Sequence, residues 1–288
     1  MGSKKKRKKS KKSKKLSREQ VYKANIIMFK FFNEDDDTFT KEINRCMCVD
    51  YDVKRKDFSM ENNTDYRRCK NKVFRNTDFC EKHQNCNSFL KLFTNGFEEQ
   101  YNPKRWSHPY IEGSHNCYSY FLDDIQKILV KKCEDDCKKE ESSCPRKTKK
   151  CGEKKPQPGH FNYLMNQGTL SSFKRGYLCP NMEKLIRKDN PNIKNTSLYE
   201  RCPTQHYKGA MVVQKDKTFH FYKQNSDGRW SHKPGTQKVV DYDASNKNIY
   251  IPHFSNRDYS HKPNKIKYND FCGYYCIPRN NYVSTNSI

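Results

Sequence analysis

Residues 218–232, TFHFYKQNSDGRWSH, constrain the fold of this chain more than any other segment. Aromatic residues alternate around His220 over 218–222, the period of a strand, and AMVV at 210–213 reads as a second strand. Asn225-Ser226-Asp227-Gly228 is a turn signal, followed by the return leg Arg229-Trp230-Ser231-His232. With Gly228 in the left-handed position after a type I turn, Asn225 pairs with Arg229 and Tyr222 with His232. His220 then lies diagonal to His232 on one face, their backbones about 7–8 Å apart. A slip of one residue would send the two rings to opposite faces. In the expected register, one imidazole serves as a base and the other fixes its tautomer and orientation.

A base needs a nucleophile, and Cys117 is the candidate. The turn Gly113-Ser114-His115-Asn116 leads into it, and Tyr118, Phe121, Leu122, Ile125, Ile128 and Leu129 follow at helical spacing. Cys117 is thus expected at the first turn of an amphipathic helix packed on a sheet. There the unpaired N–H groups and the helix dipole favour a thiolate. His206 is a rival base, and Asp241 or Asp243 could replace His232 as orienter. An oxyanion hole would use the Cys117 N–H with a donor from His108 or Tyr110.

His115-Asn116-Cys117-Tyr118, Lys155-Pro156-Gln157-Pro158-Gly159, His220-Phe221-Tyr222 and Trp230-Ser231-His232 together resemble the NlpC/P60 cysteine peptidases and their CHAP relatives. The wider pattern, with the Asp241–Asp243 segment and the ending FCGYYCIP, is similar to a group of uncharacterised proteins from bacteria and large DNA viruses. The resemblance implies an α+β, papain-like domain over residues 101–288, a Cys-bearing helix packed on an antiparallel sheet. It implies Cys117 as nucleophile, His220 as base and His232 as third member of a thiol peptidase or amidase, with a peptide or amide substrate and no catalytic cofactor. Asn-Cys-Tyr stands where wall peptidases carry Asp-Cys-Ser, and an insertion separates Cys117 from His220.

Upstream, residues 17–100 read as a small separate module. Gln20 to Phe32 suits one helix, and Glu34 to Asp37 an acidic turn. Cys69 precedes Cys80-Glu81-Lys82-His83 by eleven positions, giving a Cys-x2-His knuckle; the fourth ligand is Cys48, or Cys46 beside it. Zinc takes four such ligands as a tetrahedron and can order a segment too polar to form its own core. Arg67, Arg68, Lys70, Lys72 and Arg75 suit phosphate contacts.

Only 33% of residues are hydrophobic and the mean hydropathy is −1.20, so parts of the chain must be tails or insertions. Residues 1–16 form a polybasic tail, expected to be disordered, whose ten basic residues account for much of the net charge of +25. The tail suits nucleic acid, an anionic surface or a nuclear-localisation role. Residues 131–155, with Cys133, Cys137, Cys144 and Cys151, read as a charged surface insertion with almost nothing to bury. No apolar leader or 18-residue apolar run is present, so the fourteen cysteines read as thiols or ligands in a reducing, intracellular setting: host cytoplasm, nucleus or virion if viral. Cys272 and Cys276 read as packing residues in a terminal strand. The Lys-, Asn- and Tyr-rich style resembles AT-rich genomes such as those of giant viruses. A cysteine hydrolase is the first functional expectation. The competitor is a non-catalytic basic, zinc-containing nucleic-acid-binding or virion structural protein.

Overall fold

A computed structural model of the chain describes residues 45–48, 68–74, 77–139, 151, 155–159 and 176–279. The basic tail, the expected 20–32 helix, the acidic turn, Arg67, Arg75 and Cys144 lie outside the described residues. The described residues all fall within the compact unit Asn44–Ile288.

The architecture is α+β. The strands are β1 (Lys194–Thr196), β2 (His206–Gln214), β3 (Thr218–Gln224), β4 (Trp230–Ser231), β5 (Asp258–Tyr259), β6 (Ile266–Lys267) and β7 (Asp270–Pro278). Five of them form an antiparallel sheet in the order β1-β7-β2-β3-β4, and β5 pairs with β6. Central β2 is buried along nearly its whole length, which explains its continuous apolar run.

The helices are α1 (Cys86–Lys91), α2 (Pro109–Ser114), α3 (Cys117–Phe121), α4 (Lys127–Lys139) and α5 (Cys179–Asp189). One core joins Tyr118 and Phe121 of α3 and Met182 and Ile186 of α5 to Met211, Val213, Phe219 and Phe221 of the sheet. A second core joins Val212, Tyr222 and Trp230 to Cys46, Cys69, Phe79 and Leu90. The upstream Cys/His segment therefore shares a core with the sheet.

The single long helix expected after Cys117 breaks after one turn. Asp123 takes a φ of 54°, and its carboxylate meets Lys223 Nζ at 2.7 Å and Arg105 at 2.8 Å. Burial opposes the ionised form of Asp123, but these two cations more than offset it and hold the carboxyl below its usual range. Most of α4 falls in the segment expected to have nothing to bury; Leu129 and Cys133 are its buried residues, whereas Ile128 is exposed.

The cysteines correct the sequence reading most plainly. Disulfides link Cys48–Cys86, Cys133–Cys151, Cys179–Cys272 and Cys202–Cys276, and Cys137 is also disulfide-bonded. Cys272 and Cys276 are cross-linked rather than merely packed, and free thiols among the described residues are limited to Cys46, Cys69, Cys80 and Cys117.

Gly209 lets α3 approach the sheet closely: a Cβ there would clash with the Phe121 ring and Ile277. Gly209→Ala is expected to lower unfolding free energy by about 1–3 kcal/mol, measured by urea denaturation, because Phe121 must shift with the helix that carries Cys117.

Candidate functional site

Asn116, extended at φ −128°, caps α3: its side-chain oxygen accepts from the N–H groups of Tyr118 (3.0 Å) and Ser119 (3.2 Å). Its amide donates to the Pro156 carbonyl at 2.6 Å, bringing the 155–159 segment against the start of α3. Gly159 N–H and Tyr118 O–H both donate to Asp189 Oδ2, at 2.6 and 2.8 Å, tying that segment to α5. Cys117 is therefore the first residue of a capped helix, 5% exposed. Burial pushes its thiol up to about 12, against the pull of the Phe221 backbone N–H, the nearby Lys233 charge, and the N–H groups of Cys117 and Tyr118. The thiolate expected from the helix terminus is thus not the resting form. A five-residue helix has a small dipole, and desolvation of the sulfur outweighs it.

The hairpin takes the expected register. Lys223 pairs with Ser231 and Gln224 with Trp230, Asn225 N–H donates to Arg229 O, and Gly228 has φ 87°. His220 Nε2 lies 2.6 Å from His232 Nδ1, and His232 Nε2 lies 3.0 Å from the Tyr242 carbonyl. A carbonyl can only accept, so His232 carries its proton on Nε2 and offers a lone pair at Nδ1. His220 must then donate from Nε2, which leaves its Nδ1 as the basic nitrogen. This tautomer is assigned from the hydrogen-bond network. Both rings are neutral: burial, and the repulsion a protonated His232 would add, hold His220 well below its ordinary value, and burial brings His232 to about 4. Tyr268 stacks on His220 at 5.3 Å, and Tyr222 meets it edge-on at 5.2 Å.

Phe219 and Phe221 enter the α3-side core, so His220 leaves β3 from the other face. The Cys117 side chain belongs to the α3-side core, and its sulfur lies near the Phe221 backbone N–H, which pulls the thiol down. The last β4 pair is Lys223–Ser231, short of this point. The sulfur thus approaches β3 one residue along from His220.

The alternatives fall elsewhere. His206 opens β2 opposite Pro278, six positions from the Val212 that faces His220, or about 20 Å along the strand. Asp243 accepts from the N–H groups of Ser245, Lys247 and Asn256, and Asp241 lies 3.5 Å from Arg229. His108 caps α2, where its Nδ1 takes the Tyr110 N–H. Two buried residues near Cys117 have no signal in the sequence. His115 bonds Ser114 Oγ (2.7 Å) and the Gln126 N–H (2.9 Å), and burial lowers it to about 4; Lys233 is fully enclosed.

The second site is a buried cluster of Cys46, Cys69, Cys80 and His83, whose ligand atoms all lie within 4.8 Å of one another. His83 Nδ1 is 3.4 Å from Cys80 Sγ and 3.6 Å from Cys46 Sγ, and Cys69 and Cys80 sulfurs are 3.9 Å apart. A tetrahedral cation bonded at about 2.3 Å spaces its sulfur ligands about 3.8 Å apart, so the four side chains can hold a metal ion. Cys46 fills the place expected for Cys48, which is bonded to Cys86 instead. Two arginines staple the ligand segments: Arg45 Nε donates to Cys69 O and Arg68 Nε to Cys46 O, so Arg68 is committed inward rather than offered to phosphate. Lys70 and Lys72 remain exposed.

No protein-family model, curated protein or solved structure matches the chain. Among the described residues, no helix is long and apolar enough to cross a membrane.

His115, His220 and His232 stay neutral in the fold, whereas the unfolded chain takes up their protons near pH 6.5. Stability is therefore full above about pH 6.5 and falls as pH drops toward 4, by about 3 kcal/mol for each ring held at about 4. Asp243, raised to about 6 by burial, adds stability below that pH but offsets only one ring. Tm measured by calorimetry is expected to fall steadily from pH 7 to pH 4.5; a flat profile would contradict neutral buried histidines.

Proposed function

We propose that this chain is a cysteine hydrolase of the papain-like, NlpC/P60 type that cleaves a peptide, isopeptide or other amide bond through an acyl-thioenzyme. The observation that carries the reading is the chain from His220 through His232 to the Tyr242 carbonyl, which leaves His220 Nδ1 as a basic nitrogen on β3, one residue from the Phe221 N–H that the buried Cys117 thiol approaches. The papain-like assignment draws support from the Cys-first helix packed on an antiparallel sheet.

Because thiol and imidazole both rest neutral, proton transfer accompanies attack. His220 Nδ1 takes the thiol proton as the Cys117 sulfur bonds the substrate carbonyl carbon and the C=O pair moves to oxygen. The imidazolium is held by His232 Nδ1, which accepts its Nε2–H. The proton then passes to the leaving nitrogen as the C–N bond breaks. Water, deprotonated by His220, attacks the thioester carbon and releases the acid and the thiol.

Cys117→Ala is expected to abolish hydrolysis of casein and acyl-anilide probes, and His220→Ala to lower kcat by about 10³-fold or more. His232→Ala should cost about 10²-fold, because it frees the tautomer without removing the base. Mass spectrometry should find iodoacetamide on Cys117 at pH 7.5, slowed at least tenfold in the His220 variant. Unchanged turnover in Cys117→Ala would remove the hydrolase reading. It would favour the second one, a basic nucleic-acid-binding or virion scaffold, to which the enclosed thiol and the net charge of +25 lend support.

The metal we assign to Cys46, Cys69, Cys80 and His83 is a structural zinc ion, from its three thiolates and one imidazole. Burial pushes the Cys46 thiol up to about 12, a cost that a bound dication offsets by favouring the thiolate. One zinc per chain is expected by elemental analysis, with Tm falling on chelation. Cys46→Ser should lose the metal and Cys48→Ser should keep it; the reverse result would restore the Cys48 assignment.

A further inference from the structure

Lys233 follows His232 directly, and its side chain is fully enclosed. The ammonium has three donors, and all are used on carbonyl oxygens: Glu112 at 2.9 Å, His115 at 2.8 Å and Gly235 at 2.7 Å. Two of those carbonyls belong to the residues that lead into Cys117. Glu112 lies in the last turn of α2, whose terminal carbonyls form the negative end of that helix. The His115 carbonyl immediately precedes Asn116, the cap of α3. One side chain from the histidine hairpin therefore bolts down the whole turn that delivers the nucleophile, across 118 positions of sequence.

Carbonyls satisfy the hydrogen bonds of an ammonium without cancelling its charge. A buried cation held only in this way is costly, so burial lowers the Lys233 ammonium to about 7, and an anion formed beside it is correspondingly stabilised. The sulfur of Cys117 is placed to be that anion, since Lys233 and Cys117 each act electrostatically on the other. Besides His220, proposed above as its base, the ionisable groups facing the sulfur are Tyr222 of β3 and Tyr268 from the loop between β6 and β7; those facing Lys233 are Glu112 of α2 and Lys155 of the docked 155–159 segment. Burial and the sulfur raise both tyrosines, which stay neutral, and among these neighbours Lys233 supplies positive charge to the sulfur.

We propose that Lys233 is a positioning residue for Cys117: it fastens the nucleophile's turn to the histidine hairpin and supplies the charge that stabilises the thiolate formed during attack. This rests on the reading of Cys117 as nucleophile. The sequence alone hides the role, because a lysine beside Pro234-Gly235 reads as a solvated turn residue. The proposal separates two contributions, the tie and the charge. Lys233→Arg keeps the charge, Lys233→Gln keeps N–H donors for the carbonyls without charge, and Lys233→Met removes both.

The test is the pH dependence of iodoacetamide alkylation at Cys117 in the full chain, from pH 6 to 10, with the modified site quantified by mass spectrometry. Lys233→Gln is expected to shift the alkylation profile toward alkaline pH, seen as a tenfold or greater slowing at pH 6.5, where Lys233 carries its charge. Lys233→Arg should recover most of that rate. Lys233→Met should show the same shift together with a lower Tm; if it does not fold, Lys233→Gln still decides the charge. A Lys233→Gln profile that overlays the wild type, in a protein of unchanged Tm, overturns the proposal. The alkylation readout needs no turnover, so a failure of the nucleophile reading appears separately, as hydrolysis indifferent to Cys117→Ala.

Discussion

The 2.6 Å contact between His220 Nε2 and His232 Nδ1 orders the chemistry of the whole site. Its direction is set one step further on, at a backbone carbonyl that can only accept. From that fixed end, protonation states follow in sequence until the last nitrogen, Nδ1 of His220, is left with a lone pair. The contact also depends on hairpin register, since a displacement of one residue would part the rings. Gly228 at φ 87° and the Asn225–Arg229 closure hold that register. Backbone geometry in a turn thereby decides which nitrogen of a distant ring is basic.

Burial then governs charge. Cys117, His220 and His232 are all enclosed, and desolvation drives each toward its neutral form. A preformed thiolate–imidazolium pair would need both groups ionised against that desolvation. The site instead rests as thiol and imidazole, with a cation, Lys233, kept nearby on carbonyls. Its relation to the sulfur differs from that of Lys223 to Asp123, where opposite formal charges meet at 2.7 Å and the helix carrying Cys117 ends.

A chain with only 33% hydrophobic residues needs more than apolar burial to hold such a site together. Cross-links supply part of the difference. Cys179–Cys272 and Cys202–Cys276 fasten β7 to segments 93 and 74 positions away, closures worth about 4–5 kcal/mol each by loop entropy. The Cys/His cluster gathers the polar upstream segments, which rest on the sheet face that also buries Trp230. The two sheet faces thus carry different segments, one the helix that begins at Cys117 and the other the Cys/His cluster.

Local signals were legible in the sequence wherever the deciding contacts span a dozen residues or fewer. The turn, the hairpin register, the diagonal histidines, the helix start at Cys117 and the Cys-x2-His pair all belong to that class. Tertiary structure alone decided which cysteines bond to one another and which converge. Cys46 and Cys48 are chemically alike and two positions apart, yet one faces His83 and the other Cys86. It also decided that α3 stops at Phe121, because Lys223 and Arg105 capture Asp123 from outside the helix. The state of the Cys117 sulfur was settled the same way. Spacing can place a cysteine at a helix start, but the water it loses and the cation it gains depend on side chains more than a hundred residues away.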